Sequence, residues 1–482
     1  MLSNDLYPPK RWRTVAERFA LPKAVPAVVF FGCAALLALS LSGCSVYHTK
    51  PLPEATHSPY TAITLPASTW LPGGLSSHPF DPTDGLDMTE TATLAIAQSP
   101  QLKSLRAQAE VTRAQSFAAG LLPDPQINYS QDRPGSGQNG ASTAYSRGLS
   151  WDVGNLVTLS ARRSAGRDTA RAVDLSLLWN EWQTVSEARL RFVRVRSAQA
   201  LVTRLRTEQE ALAPLQPRLR DALSRGALTF DVATTGLSAF SDVARQLVDA
   251  QTASATATED LKNLLGLDSK EPLILVGDSD VEPAGGVNAE QALSEMTQRR
   301  PDLLALKAGY AAQDSRYRAA ILGQFPAINI GINRAQDNTH VDSRGFAVGV
   351  SLPLFDANRG NIRIEQATRE QLYAEYEERL ISARNDVARL EEVLTVLEAR
   401  EAVLGPFATD LTERAQHAHA AYTHGDLEWT TYLGLRQSTL AADVELISLR
   451  ETLAETRIAL ATLLSGRWTD RQQSPTAEGV RP

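Results

Sequence analysis

The chain has 482 residues, a formal net charge of −7 and only 6% aromatic residues. That length holds two or three ordinary domains, and the mild acidity argues against nucleic acid, which calls for a basic face. The two cysteines, Cys33 and Cys44, both lie near the N-terminus, which excludes a disulfide framework or a cysteine-based metal site from the main body.

Lys10, Arg11, Arg13, Arg18 and Lys23 precede an apolar run from Ala24 to Leu41. Leu41-Ser42-Gly43-Cys44 then has the form of a bacterial lipobox, in which small residues precede the cut and the new N-terminal thiol carries diacylglycerol. The run is about the minimum length for a membrane span, but the small residues and Cys44 fall where a cleavage site belongs. The reading is a lipoprotein signal peptide over 1–43, with Cys44 lipidated. Ser45, in place of an aspartate, is compatible with transfer to an outer membrane.

Residues 44–86 are rich in proline and read as an extended tether. The segment from Pro100 to Arg133 then returns, without a gap, from Pro301 to Arg334. Pro100, Leu102, Leu105, Ala118, Ala119, Pro125, Ile127 and Asn128 recur as Pro301, Leu303, Leu306, Ala319, Ala320, Pro326, Ile328 and Asn329. A period of about two hundred residues is too long for a solenoid unit, so it marks a duplicated half-structure. The expected halves span 87–268 and 289–466, with a Pro- and Gly-containing linker over 269–288 and a polar tail over 467–482.

Each half opens with one predicted helix of about thirty residues, Thr89 to Leu121 and Ala289 to Leu322. The apolar period then changes to two, predicting strands near 125–131, 144–152, 326–334 and 343–354. At eight to ten residues each, roughly, these strands are long enough to cross a bilayer as tilted barrel strands. The opposite face is small and polar, as a water-filled lumen requires.

Very long helices follow, because no proline occurs between Pro134 and Pro214 or between Pro353 and Pro406. A continuous helix from Asn155 to Leu212 would be about 85 Å long. Leu380, Ala383, Val387, Leu390, Leu394, Leu397 and Leu404 step by threes and fours, the spacing of helices that wind around neighbours. The long helices reverse at matching turns, Arg225-Gly226-Ala227-Leu228-Thr229 and His424-Gly425-Asp426-Leu427-Glu428. Glycine there supplies the left-handed conformation that closes a helix. Thr229 or Asp231 is the expected cap of the helix after the first turn, and Asp426 of the helix after the second.

Four strands cannot close a membrane barrel, and an open edge in lipid leaves backbone groups unsatisfied. Chains must therefore share one. Two would give eight strands and a filled interior; three would give twelve and an aqueous bore, which a conduit favours.

This pattern resembles the TolC-like outer-membrane efflux protein family, here in a lipoprotein form. The resemblance rests on the lipobox, the duplication, and the motifs Ser99-Pro100-Gln101-Leu102 and Arg300-Pro301-Asp302-Leu303 that open the halves. Phe325-Pro326-Ala327-Ile328 is similar to its first-strand entry, and Leu352-Pro353-Leu354-Phe355-Asp356 with Gly360 to its strand-to-helix junction. It covers roughly Met88 to Gly466.

The resemblance implies a mainly α fold with a small transmembrane β part. Each half is helix, β-hairpin and long helical hairpin. A homotrimer builds an α-barrel tunnel joined to a 12-stranded outer-membrane β-barrel. It implies a passive conduit for small molecules, drugs or metal ions, working with a periplasmic adaptor and an inner-membrane pump. The periplasmic tips, formed by Arg225, Gly226, Leu228 and Thr229 with His424, Gly425 and Leu427, would receive the adaptor. Family members often place aspartates just past the second tip. Here Thr431 and Gly434 fall near those positions, leaving Asp426 and Glu428 as candidate gate residues. The alternatives are the outer-membrane channel of a type I protein secretion system, or a periplasmic coiled-coil adaptor or scaffold without a pore.

No nucleophile, base and oxyanion arrangement suggests an enzyme, and no cofactor is expected beyond the lipid on Cys44. Gly135-Ser136-Gly137-Gln138-Asn139-Gly140 formally matches G-x-G-x-x-G, but it sits between two strands, where a dinucleotide site needs a following helix. It reads as a hairpin loop. His417, His419 and His424 cluster near the second tip, where helix surface is the plainer reading and a transient metal or proton site the sharper one. Arg189, Arg191, Arg194 and Arg196 read as a solvated face.

Overall fold

The computed structural model describes residues 47–52, 63, 65, 75, 78–135, 142–278 and 289–464. Residues 47–52 belong to a first unit, Met1–His57, and are exposed without regular structure. The elements below lie in a second unit, Ser58–Pro482. The proposed signal peptide, Cys44 and the Ser136–Gly140 part of the glycine-rich loop fall outside the described residues.

In chain order the elements are α1 (Met88–Gln98), α2 (Pro100–Ala119), β1 (Gln126–Asp132), β2 (Ala144–Asp152), α3 (Asn155–Leu212), α4 (Leu215–Ser224) and α5 (Phe230–Leu265). The second half supplies α6 (Ala289–Arg299), α7 (Pro301–Leu322), β3 (Ala327–Gln336), β4 (Asp342–Ser351), α8 (Arg359–His424) and α9 (Trp429–Leu464). The order helix, hairpin, long helical hairpin thus recurs in both halves.

The single opening helix expected in each half is two helices. Ser99 and Arg300 stand at ψ 120° and 121°, outside the helical region. Each precedes a proline, whose ring disfavours the α conformation of the residue before it and whose missing N–H suits a helix start. Ser99 Oγ accepts from Leu102 N–H at 3.5 Å. In the second half the same corner is built from charge. Arg300 donates through Nε and Nη2 to the two oxygens of Asp302, at 2.9 and 2.6 Å, and Arg379 Nε of α8 donates to the same carboxylate at 2.9 Å. Burial would raise the Asp302 pKa, but the hydrogen bonds and charge of Arg300, with Arg379 beside it, outweigh burial and hold it below the usual carboxylate range. Arg300 also lies over the Trp179 ring at 5.1 Å, so α7, α8 and α3 meet at one buried corner.

The helix from Asn155 to Leu212 is continuous over 58 residues, about 87 Å. Ala213 and Pro214 separate it from α4, whose first turn also holds Pro217. By contrast α8 runs 66 residues straight through Pro406. The residue before that proline is Gly405, which has no Cβ to collide with the pyrrolidine ring, so one lost N–H is tolerated.

Among the described residues, the two largest cores draw on several of these helices. One gathers Leu94 and Ile96 of α1, Val185 and Phe192 of α3, and Leu261 and Leu265 of α5. Leu75 and Leu86 belong to it, and Leu86 forms a parallel bridge with Leu275, so the end of the Pro-rich tether packs on the helices. The other core lies towards the turns and joins Leu205 and Leu212 of α3, Val243 and Leu247 of α5, and Tyr432, Leu433 and Leu440 of α9. The heptad residues Ala383, Val387, Leu390 and Leu404 of α8 are buried. The arginines from 189 to 196 do not share one solvated face: Arg194 pairs with Glu455 at 2.5 Å, while Arg196 donates to the carbonyls of Leu275 and Gly277.

Candidate functional site

The hairpins combine into one antiparallel sheet of order β1-β2-β3-β4. Its register aligns Ile127, Leu149, Ile332 and Phe346 in a single row across all four strands, with Trp151, Ile330 and Val348 in the next. Because side chains alternate faces, the apolar set shares one side. Ile127 is 85% exposed and Phe346 71%. The reverse face carries Asn128, Gly148, Asn333 and Gly345 in register, then Ser150, Gly331 and Ala347. An apolar face open to the surroundings, backed by a small polar one, is the pattern of a wall between lipid and water. The outer edges of β1 and β4 have no partner strand among the described residues. Also among the described residues, no helix is long and apolar enough to cross a membrane, which says nothing against barrel strands.

The sheet is joined closely to the long helices. A Cβ on Gly154, just before α3, would sit 2.9 Å from Ala327 Cα and Ile328 N, so the backbones of the two halves touch there. Trp151 Nε1 donates to the carbonyl of Pro123 at 2.8 Å, anchoring the chain that enters β1.

At the other end, α4 and α8 close through the same hydrogen-bond pattern. Gly226 stands at φ +69° and Gly425 at φ +87°. Ala227 N–H donates to Ala222 O and Gly226 N–H to Leu223 O; Asp426 and Gly425 repeat this with Ala421 and Tyr422. This is the six-to-one and five-to-two closure that a left-handed residue permits. Thr229 stands at the N-cap of α5 but makes no side-chain capping bond, and Asp231 lies in the first turn. Asp426 closes α8 through its backbone and precedes α9 by three residues, so it does not sit at the start of α9. Arg225, Thr229, His424, Asp426 and Glu428 are exposed, while Leu228 and Leu427 are half-buried at matching positions. The exposed Phe230, at 76%, adds an apolar residue beside the first turn.

The three histidines do not converge. His419 Nδ1 lies 2.9 Å from the Tyr432 hydroxyl, and His424 Nδ1 lies 2.7 Å from Ala420 O. Among the described residues no group of three His, Cys, Asp or Glu is placed to hold a metal ion.

Behind the two turns lies a polar network. Glu208 of α3, 2% exposed, accepts from Arg436 of α9 at 2.8 and 2.7 Å, and from Arg204 at 3.1 Å. Arg204 also donates to Asp443 at 2.6 Å, and Arg436 to the Tyr432 hydroxyl at 3.2 Å. Burial would lower the Arg436 pKa, but the hydrogen bonds and charge of Glu208 prevail and raise it above its ordinary value. Tyr432 stacks on Tyr422 at 4.8 Å, and Trp429 packs against both. The network therefore ties α3 of the first half to α9 of the second.

Residues 292–466 match the family model described as outer membrane efflux protein. The chain carries this match in its second half. It is 25% identical over 463 residues to the cation efflux system protein CusC of Escherichia coli K12, covering 89% of this chain and 98% of that one. It is 27% identical over 201 residues to the outer membrane protein OprJ of Pseudomonas aeruginosa, 39% and 41% of the two chains. Among solved structures, the Campylobacter jejuni CmeC outer membrane channel aligns at TM-score 0.68 and 14% identity over 88% of this chain and 95% of that one. A CusC crystal structure aligns at 0.66 and 20% identity over 83% and 98%. These relatives are named as efflux system and outer membrane proteins.

The sequence reading missed Glu208, Arg436 and Tyr432. Arg204 and Glu208 are spaced four apart, a readable helical pair, but nothing in the linear order links them to Arg436.

Proposed function

We propose that this protein is the outer-membrane channel subunit of a tripartite efflux pump, a passive trans-periplasmic conduit for small molecules. The observation that carries the reading is the four-stranded sheet, apolar on one side and small and polar on the other, with both edges open and joined to helices of 58 and 66 residues. An open sheet edge is not tolerated in lipid, so the barrel is completed by further copies. Three copies give twelve strands and a bore. A second feature supports self-assembly: α8 leaves Val393, Val396, Val403 and Phe407 exposed at heptad spacing, an unfilled seam for a neighbouring helix.

In this reading Arg225, Gly226, Leu228 and Thr229, with His424, Gly425 and Leu427, form the tips that meet a periplasmic adaptor. Asp426 and Glu428, exposed on the second turn, ring the narrow end. The Glu208–Arg436 network holds the tip helices together until the adaptor and inner-membrane pump engage. Cys44 carries a lipid that adds to the barrel's hold on the membrane. The relative matched over nearly its whole length is named for cation efflux, and others for multidrug resistance or pyoverdine export, so the cargo is a small solute, a cation or a drug. The duplicated hairpins favour a pore over a scaffold.

The test is direct. Protein extracted from outer membranes in detergent should run as a heat-modifiable trimer and conduct ions in planar bilayers. A water-soluble monomer with no conductance would sink the assignment.

A further inference from the structure

The lipid-facing side of the sheet carries a charge pattern that a passive wall does not require, and the inference from it rests on the membrane placement above. The sheet's hairpin ends lie opposite its helical ends. Moving towards the hairpins, the apolar rows give way to the register row Tyr129, Arg147, Arg334 and Arg344. Three neighbouring strands thus set exposed arginines side by side on the apolar face. Cross-strand partners stand about 4.5–5.5 Å apart, and like charges directly opposite one another destabilise a sheet.

The surrounding acids do not neutralise the row. Asp342 reaches Arg334 at 3.3 Å. Asp337 is engaged by Thr339 and the Val341 N–H within its own turn, and Asp132 lies on the opposite face by register. Among the described residues, Arg147 and Arg344 have no carboxylate partner, and residues 136–141 contain no acid.

From Leu352 to Arg344 is about 27 Å of strand, or about 20 Å upright at barrel tilt, so the row sits at the far rim of the apolar band. Directly below it lies an apolar groove of about 510 Å³ lined by Leu122, Leu149, Trp151, Ile330, Ile332 and Phe346. Cation above, apolar groove beneath, and open lipid on that side match one kind of occupant. Guanidinium is the side chain whose planar fork fits phosphate.

We infer that Arg147, Arg334 and Arg344 bind the phosphate of an outer-leaflet lipid, whose acyl chain lies in the groove below. Full-length protein would be reconstituted with phosphatidylcholine vesicles containing either bisphosphorylated lipid A or its dephosphorylated form, and the lipid retained after extraction measured by native mass spectrometry. Wild type should retain the phosphorylated form preferentially. The combined Arg147→Gln, Arg334→Gln and Arg344→Gln variant should lose about a hundredfold, since it removes three positive charges, each worth roughly fivefold at an anionic surface. The matching triple lysine variant, which keeps the charge but loses the planar fork, should retain more of the preference than the glutamine variant. If the glutamine variant fails to trimerise, Arg344→Gln alone, on an edge strand, should lose about fivefold. Equal retention of the two lipids by wild type, or an undiminished preference in the glutamine variants, would overturn the inference. Loss of the preference on adding inorganic phosphate would assign the site to the free anion instead of a lipid. Failure of the protein to enter either vesicle would count against the channel assignment itself, a separate outcome.

Discussion

At the scale of single residues, the two tip glycines and the buried carboxylates are held for different reasons. A Cβ on Gly226 or Gly425 would meet nothing within 4 Å, so only their positive φ is constrained. Gly425→Val should cost about 1–2 kcal/mol of local strain and leave the fold intact, while the bulk it adds at the proposed docking face impairs export. Wild-type export by Gly226→Val and Gly425→Val would move the tips elsewhere. Asp302 behaves differently. Its carboxyl is held below the usual range in the folded protein, so its contribution is fully present above the unfolded value of about 3.9. It is lost as pH falls through the folded value. Thermal unfolding midpoints of detergent-solubilised protein should fall in that acid window for wild type, and less steeply for Asp302→Asn, which should be destabilised at neutral pH because Arg300 and Arg379 lose their acceptor.

At the scale of elements, the coupling of α3 to α9 joins the two halves behind the turns. Glu208 is buried and bidentate with Arg436. Removing one partner of such a pair leaves an uncompensated buried charge, typically about 3–5 kcal/mol. Glu208→Gln should therefore loosen the tip helices and raise single-channel conductance, and Glu208→Gln with Arg436→Leu should be less unstable than Glu208→Gln alone. Unchanged conductance in both would remove the network from the gate. The helix ends belong to this scale too. The matching turns at Gly226 and Gly425 were legible because a glycine is needed at a left-handed closure. The breaks at Ser99 and Arg300 were not read, although each precedes a proline, because the helical periodicity continues on both sides.

At the scale of the whole molecule, one copy is an unfinished part of the proposed channel. Among the described residues its sheet has two open edges, and α8 shows a second apolar seam through Val396, Val403 and Phe407. Val403→Asp should place a charge in that seam and shift the detergent-solubilised protein from trimer towards monomer on native gels. A trimer as stable as wild type would mean that the seam faces something else.

The linear order of residues by itself determined the duplication, the change of period from 3.6 to 2, and the long proline-free helices, because each is a local property of backbone preference and side-chain spacing. Which residues meet across the halves was decided only by the tertiary structure. The Glu208–Arg436 pair, the Asp302 corner and the arginine row all join positions far apart in the chain. Strand register and helix pairing are settled by burying many small contacts at once, and no short stretch of sequence carries that sum.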